Sequence, residues 1–436
     1  MFSKSPKPIS ISLSPNTERD DTLLALKLIF CPWKWKQGKA IGKLENEFKK
    51  YFNVKYAVSF NSGRSSFFAI LKSLNLPKDS EVLLQAFTCN AVPNPVLWAG
   101  FTPVYVDCDE NDFNIDLEDL KQKISPNSKA VVVQHTFGLP AFAKASAGKP
   151  ANTNEILEIC REHNLILIED CAHSLGAEFD GQKVGAFGKA AFFSFSRDKV
   201  ISSIYGGMAT TNDDALAKKI RQFQTESGYP SAYWVFQQLL HPVLLNFVIL
   251  PIYKFFDLGK MFLIFSQIFH ILSKAVHWKE KRGERPDYFP KALPNALAVL
   301  ALNQFKKLDK FYNHRRKISE IYYNELKGTK FQVFEELSPP HLDSLGSKHS
   351  YLRFTVKHKD AHKIIRESWD KENILIGDWY TSPIAPFDTQ LDKVKYELGS
   401  CPTAEKLSEV TLNLPTHINI SEKDLKRITD FLRKWK

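Results

Sequence analysis

The 436-residue sequence predicts an α/β fold with a large domain on a mainly parallel sheet and a smaller α+β domain at the C-terminus. Three observations carry this prediction. Between Tyr56 and Ile168, short apolar runs alternate with segments of helical spacing, the pattern of strands joined by crossover helices. From Leu293 to about Leu326 a long helical pattern reads as a connection. Beyond it, isolated strand-like runs lie among helices. The expected division is an arm at 1–20, a large domain at 21–230, an apolar helical insertion at 231–290, a connecting helix at 291–325 and a small domain at 326–436.

Residues 1–20 are polar and proline-dotted, lack the apolar core of a signal peptide, and read as a loose arm. Helical spacing begins near Thr22–Phe30, and Ile41–Tyr51 reads as an amphipathic helix rich in Lys and Glu. Tyr56–Phe60 is a strand, followed at once by Asn61-Ser-Gly-Arg-Ser-Ser66 and a helix at Phe67–Leu74. A glycine-bearing turn entering a helix N-terminus favours an anion through free N–H groups and the helix dipole. Ser62, Arg64 and Ser65 add donors around Gly63. Many α/β turns share this shape and bind nothing, so the motif is weak by itself.

The alternation continues with strands at Glu81–Leu84, Pro103–Val106, Ala130–Gln134 and Leu165–Ile168. Helices fall around Ala91–Trp98, Leu117–Lys123 and Asn154–His163. Ligands of such sheets gather outside the carboxyl ends of the strands, where Ser62–Ser66 and Asp170 fall. Ala141–Asn154, rich in Ala, Lys, Gly and Pro, reads as a flexible surface insertion. In the small domain Tyr351–Val356 and Ile374–Ile376 read as strands. Asp360–Lys371, Lys406–Val410 and Glu422–Lys434 read as helices.

Hydrophobic residues make up 44% and charged residues 25%, an ordinary globular balance that argues against disorder. A net charge of +11 suits an anionic ligand, nucleic acid or an acidic membrane surface. The charges are scattered apart from a cluster at Lys279–Arg285, and no nucleic-acid motif accompanies them, so nucleic acid is not an expected partner. The six cysteines are widely spaced, without metal-ligand or redox spacing, and read as reduced thiols of a cytoplasmic enzyme.

The densest chemistry lies between Asp170 and Asn212. Ile168-Glu-Asp-Cys-Ala-His-Ser174 ends an apolar strand in an acid, and Phe192-Phe-Ser-Phe-Ser-Arg-Asp-Lys199 leads through a serine to a lysine. Singly, Lys199 reads as a surface charge, Asp170 as a helix cap and His173 as a core histidine. Together, and with the glycine turn upstream, they equip a site for pyridoxal phosphate. The acid faces the pyridine nitrogen, the lysine forms a Schiff base with the aldehyde, and Ser194 reaches the phosphate.

Further segments carry a resemblance: Gln85-Ala-Phe-Thr88, Gly100-Phe-Thr-Pro-Val-Tyr-Val-Asp107, Phe113-Asn-Ile-Asp116, Val184-Gly-Ala-Phe-Gly188, Cys401-Pro-Thr-Ala-Glu405 and Leu412-Asn-Leu-Pro-Thr416. With Ser62-Gly63 and the Asp170–Lys199 region, they make the chain similar to the DegT/DnrJ/StrS family of PLP-dependent sugar aminotransferases. The resemblance implies the aspartate aminotransferase fold (fold type I) and pyridoxal 5′-phosphate as cofactor. It implies Lys199 as the Schiff-base and proton-carrying residue and Asp170 as partner of the ring nitrogen. His173 would lie near the ring hydroxyl, with Ser194, Gly63 and Arg64 at the phosphate. It also implies a homodimer that moves an amino group from a donor, glutamate by expectation, to a nucleotide-linked keto-sugar for surface polysaccharide or lipopolysaccharide. A lysine at 199 separates it from relatives that carry histidine there and dehydrate. A PLP-dependent dehydratase and a non-catalytic PLP-fold regulator are the alternatives.

Three departures stand out. Cys89 replaces the aromatic residue expected against the cofactor, leaving Phe87 to stack instead or the contact thinner. Arg64 replaces a small residue of the phosphate turn and offers a charge-assisted contact. The asparagine–arginine motif expected near Pro290–Ala292 to cross the dimer interface is missing, and Asn295 aligns elsewhere.

Tyr233–Trp278 is the least family-like stretch. Trp234–Phe256 and Met261–Leu272 are apolar and aromatic, and polar residues and prolines interrupt the run needed for a spanning helix. The plainer reading is a helical hairpin packed on the core or in a dimer interface. The sharper one is peripheral contact with the inner face of the cell membrane through 233–285. Trp379 and Tyr380 are read either as facing the substrate or as packing.

Overall fold

The computed structural model describes residues 8–142, 155–253, 255–334, 338 and 347–435. Its centre follows from strands that are apolar on both faces and therefore need cover on both. Val131 and Val133 point into one core and Val132 into the other; Leu83 opposes Val82 and Leu84 in the same way. Seven strands form the sheet, in the order Tyr56–Phe60, Gly207–Thr211, Ala190–Ser194, Ile166–Asp170, Ser128–Gln134, Glu81–Gln85, Thr102–Val106. Gly207–Thr211 runs antiparallel to both neighbours, and the remaining pairs are parallel. The mainly parallel sheet expected from the alternation is therefore present. Its carboxyl edge brings Phe60, Gln134, Asp170 and Ser194 to one side.

Several boundaries move for identifiable reasons. The helix after Tyr56–Phe60 spans Gly63–Leu74, starting four residues early because the Ser62 side chain accepts from the Ser65 amide and caps it. The connecting stretch is two helices, Asn295–Phe305 and Leu308–Leu326. Lys307 sits between them with Nζ 2.6 Å from Asp20 and 3.1 Å from Asp21. In the small domain Arg353–Lys357 pairs antiparallel with Thr411–Pro415. Helices Ala361–Glu372, Pro402–Val410 and Glu422–Arg433 accompany this pair.

The loose arm is corrected over its described part. Ile9–Ser10 pairs in parallel with Ile374–Leu375, and a helix already runs over Arg19–Ile29. The polar character of the segment serves a buried network. Asn16 donates to the Lys199 carbonyl and accepts from Arg315 at 2.8 Å, and its own carbonyl accepts from Gln304 at 3.0 Å.

Of the surface insertion expected at Ala141–Asn154, residues 143–154 lie outside the described residues. Ala141 and Phe142 are buried, with Phe142 packed on Phe187 at 4.7 Å between ring centroids.

The apolar stretch is a helical hairpin. Its first arm, Ala232–Leu244, continues as a π-helix over Leu245–Ile249. These 18 residues are long and apolar enough to cross a membrane, with half of them buried. The polar residues expected to interrupt this arm find partners in place, although the buried His241 Nδ1 is left without one. Gln238 donates to the Trp234 carbonyl at 3.0 Å and accepts from Ser273, His241 meets Ser14 at 3.0 Å, and Asn246 donates to Pro242 at 2.9 Å. The second arm is Leu258–Ile268.

Candidate active site

At the carboxyl edge of the sheet a cavity of about 440 Å³ is lined by Gly63, Arg64, Cys89, Asp170, His173, Ser194 and Lys199, among others. This is the ordinary size of a cofactor or small-substrate site. Strand Ile166–Asp170 delivers Asp170 at its last residue, and strand Ala190–Ser194 delivers Ser194 at its end. Lys199 follows on the loop that returns to the antiparallel strand. Its position is fixed from behind by Asn16 on its carbonyl and by its own amide, which donates to Ser196 at 3.2 Å.

Burial sets the charge states. Asp170 is 3% exposed, and burial pushes its carboxyl up to about 6, against the opposing pull of the Ala172 amide and Lys199. Burial lowers the Lys199 ammonium, while Asp198, Cys89 and Asp170 act the other way. Its Nζ lies 4.3 Å from the centroid of the Trp379 ring. Burial, with Lys199 and Arg353, holds His173 well below the usual histidine range. Its Nδ1 accepts from the Phe137 amide at 3.2 Å, so the neutral ring carries its proton on Nε2, 3.4 Å from the Tyr380 hydroxyl. Trp379 stacks on His173 at 4.9 Å and carries the Arg353 guanidinium on its ring, 3.2 Å from the centroid.

Four expected site residues are placed otherwise. Ser62 and Ser65 close the helix cap: Ser62 donates to Ser65 at 2.9 Å and Ser65 to Asn61 at 2.7 Å, and neither lines the cavity. Phe87 is sealed among Phe113, Phe137 and Tyr380, so it does not substitute for the missing ring, and Cys89 lines the cavity alone at that point. Arg64 lines the cavity, but its guanidinium is engaged by Glu280, the Ala275 carbonyl and the Phe289 ring. Burial works against its charge, and Glu280 more than offsets this.

Sequence reasoning missed one wall. Arg197 donates to Ser273, both carbonyl and hydroxyl, at 2.8 and 2.6 Å; Tyr205 donates to the Lys274 carbonyl at 2.6 Å. Together with Arg64 they hold the returning end of the hairpin, so that Ala275, Val276 and Lys281 line the cavity. The only signal was the unusual bulk of Arg64, Arg197 and Tyr205 near the glycine turns. Asn295, the nearest candidate for the missing interface motif, bonds Ala40 and Lys34 within the chain.

The fit to pyridoxal phosphate can be tested on the turn itself. A Cβ on Gly63 would lie 3.0 Å from the Ser194 Cβ, and one on Gly207 would lie 2.4 Å from the Ser62 carbonyl. Backbone therefore passes close to backbone beside a helix N-terminus, leaving room for an anion only while both stay glycine. An acid and an amine are buried in the same cavity. These residues fit the cofactor. When bound, it supplies an electrophilic aldehyde and an electron sink. Lys199 would be the amine that meets the aldehyde and Asp170 the acid beside the ring nitrogen, with the Trp379 ring lying over the lysine nitrogen.

Fold and site together define a pyridoxal-phosphate-dependent transferase of fold type I. The profile of the DegT/DnrJ/EryC1/StrS aminotransferase family matches residues 18–236 and 275–433, and the chain belongs to that family. It is a PLP-dependent aminotransferase. The chain is 26% identical over 416 residues to the GDP-perosamine synthase of Caulobacter vibrioides, covering 95% of each. It is 26% identical over 399 residues to the UDP-N-acetyl-3-dehydro-alpha-D-glucosamine 3-aminotransferase of Acidithiobacillus ferrooxidans, covering 91% of this chain and 88% of that one. Among solved structures it resembles Helicobacter pylori PseC, an aminotransferase involved in pseudoaminic acid biosynthesis. That likeness has a TM-score of 0.71 at 22% identity over 98% and 99% of the two chains. Residues 237–274 fall outside the family match.

Proposed function

We propose that this aminotransferase takes an amino group from a donor, glutamate by expectation, and delivers it to a keto-sugar carried on a nucleotide, in the making of a surface polysaccharide or lipopolysaccharide. The observation that carries the reading is the pairing of buried Lys199 and Asp170 in one cavity at the strand ends. The sugar nucleotides in the names of its relatives support the substrate class. In this proposal Gly63, Arg64 and Ser194 lie at the phosphate end of the cofactor, Asp170 at its nitrogen, Lys199 at its aldehyde, and His173 and Cys89 beside the ring. Lys199 and Asp170 are the catalytic pair. The working unit is a homodimer in the cytoplasm; six free thiols suit a reducing compartment, and Phe30, Trp33 and Phe387 are exposed and free to meet another subunit.

Absorbance tests the reading. Purified protein should show the visible band of the lysine-bound cofactor, glutamate should bleach it, and a nucleotide-linked keto-sugar should restore it with an aminated product. Lys199→Ala should lack the band while keeping the fold. A deoxygenated product from the same sugar panel would replace the reading with dehydration.

A further inference from the structure

We propose that the hairpin from Ala232 to Trp278 docks the enzyme on the surface of an anionic lipid bilayer, with its tip entering one leaflet. The observations lie outside the catalytic machinery. On the second arm Met261, Ile264, Phe265, Ile268 and Phe269 follow helical spacing along one stripe, and Phe265 and Ile268 are 50% and 61% exposed. At the turn between the arms Phe255 and Phe256 are 60% and 75% exposed. A contiguous patch of this kind is not the scattering of single apolar residues found on ordinary surfaces.

The hairpin is built to present that patch. Leu245, Ile249, Tyr253, Leu263 and Leu272 form a small core of its own. A Cβ on Gly259 would lie 2.3 Å from the Ile249 carbonyl, so the arms meet backbone to backbone and the tip is preformed.

Charge, the layering of aromatic and basic side chains, and the burial of the first arm select the occupant. Residues 232–278 contain three lysines, Lys254, Lys260 and Lys274, against a single acid, Asp257, and Lys279–Arg285, with four bases against two acids, follows directly. Lys260 is exposed on the arm that carries the apolar stripe, and Lys274 and, under Arg282, Trp278 are exposed at the base. Aromatic tip, lysine flank and tryptophan base are the layers of an interfacial element facing anionic headgroups. A spanning helix is disfavoured because the first arm buries Trp234, Val235 and Leu239 in the core of the large domain. A second copy of the chain fits less well, since twofold pairing of the same patch brings together two surfaces that both carry an excess of lysine over acid. The returning end of the hairpin walls the catalytic cavity, so a docked hairpin holds the cavity at the bilayer surface.

The test is co-sedimentation of the full-length, cofactor-loaded protein with phosphatidylglycerol–phosphatidylcholine vesicles and with phosphatidylcholine alone, alongside particle mass by light scattering. Binding should require the anionic lipid. Phe265→Glu/Ile268→Glu should weaken it by roughly tenfold or more, and Lys260→Glu by roughly fivefold or more, with particle mass and cofactor absorbance unchanged. Absence of binding to anionic vesicles overturns the proposal. So does a fall in particle mass of Phe265→Glu/Ile268→Glu with vesicle binding retained, which assigns the patch to a second copy. The lysine variant leaves the apolar packing intact and decides the matter should the first variant misfold.

Discussion

Replacing Asp170 by asparagine in the cofactor-free protein isolates the cost of the buried charge at the heart of the site. Burial moves the carboxyl from 3.8 to about 6. Between those values the folded protein keeps a proton that the unfolded chain has released, so the folded state binds more protons and stability falls as pH rises. The shift of about two units corresponds to ~3 kcal/mol, fully incurred above about pH 6 and absent below about pH 4. Asparagine keeps the shape and the oxygen that accepts from the Ala172 amide at 2.9 Å, but it does not titrate. Asp170→Asn should therefore be more stable than the parent by up to ~3 kcal/mol near neutral pH, and the advantage should vanish as the pH falls toward 4. Urea denaturation followed by tryptophan fluorescence across that window reads the difference. A gap that stays constant, or widens toward acid, would refute the reasoning. With cofactor bound the preference should reverse, the variant releasing it more readily for want of a buried negative charge.

Two further outcomes follow from packing and pairing. Gly207→Ala drives a methyl group into the Ser62 carbonyl, which belongs to backbone and cannot swing aside. It should cost about 1–3 kcal/mol in thermal unfolding and weaken cofactor binding in a fluorescence titration. Arg64→Met leaves the fully buried Glu280 carboxylate with the His277 amide at 2.8 Å but without its counter-charge, and should cost ~3–5 kcal/mol. Arg64→Met/Glu280→Met should recover most of that loss in the same denaturation assay, because neither charge is then buried alone.

Much of this molecule is written in local pattern. Tyr56–Phe60 and Leu117–Lys123 form over the residues their spacing suggests, the second because Asp116 caps it with its own side chain. Asp170, His173, Ser194, Lys199, Gly63 and Cys89 meet in one cavity because consecutive strands end at the same edge of the sheet, which topology alone dictates. What sequence could not disclose depends on partners far along the chain. Asn16 looks like a tail residue until Lys199, Gln304 and Arg315 are set around it. Arg64 looks available to an anion until Glu280, 216 residues later, claims it. Ser62 and Ser65 differ from Ser194 only in whether the hydroxyl turns into a helix cap or a cavity, and no periodicity encodes that. The polar positions on the first hairpin arm likewise seemed to break a helix; Gln238 and His241 instead meet Ser273 and Ser14 in the folded chain, and Asn246 bonds back along its own helix.

The pairing of Ile9–Ser10 with Ile374–Leu375 has a consequence for how the protein is made. The two strands are 365 residues apart. At a synthesis rate of ~5–20 residues per second, the first segment waits roughly 20–70 s on the ribosome for its neighbour. Asn16, Gln304 and Arg315 stay unjoined through most of that interval, so the backbone behind Lys199 is among the last parts to be locked. The large sheet can assemble as its strands emerge, but a ribosome stalled before residue 304 holds a chain whose Asn16, the support of the lysine loop, is itself unbraced.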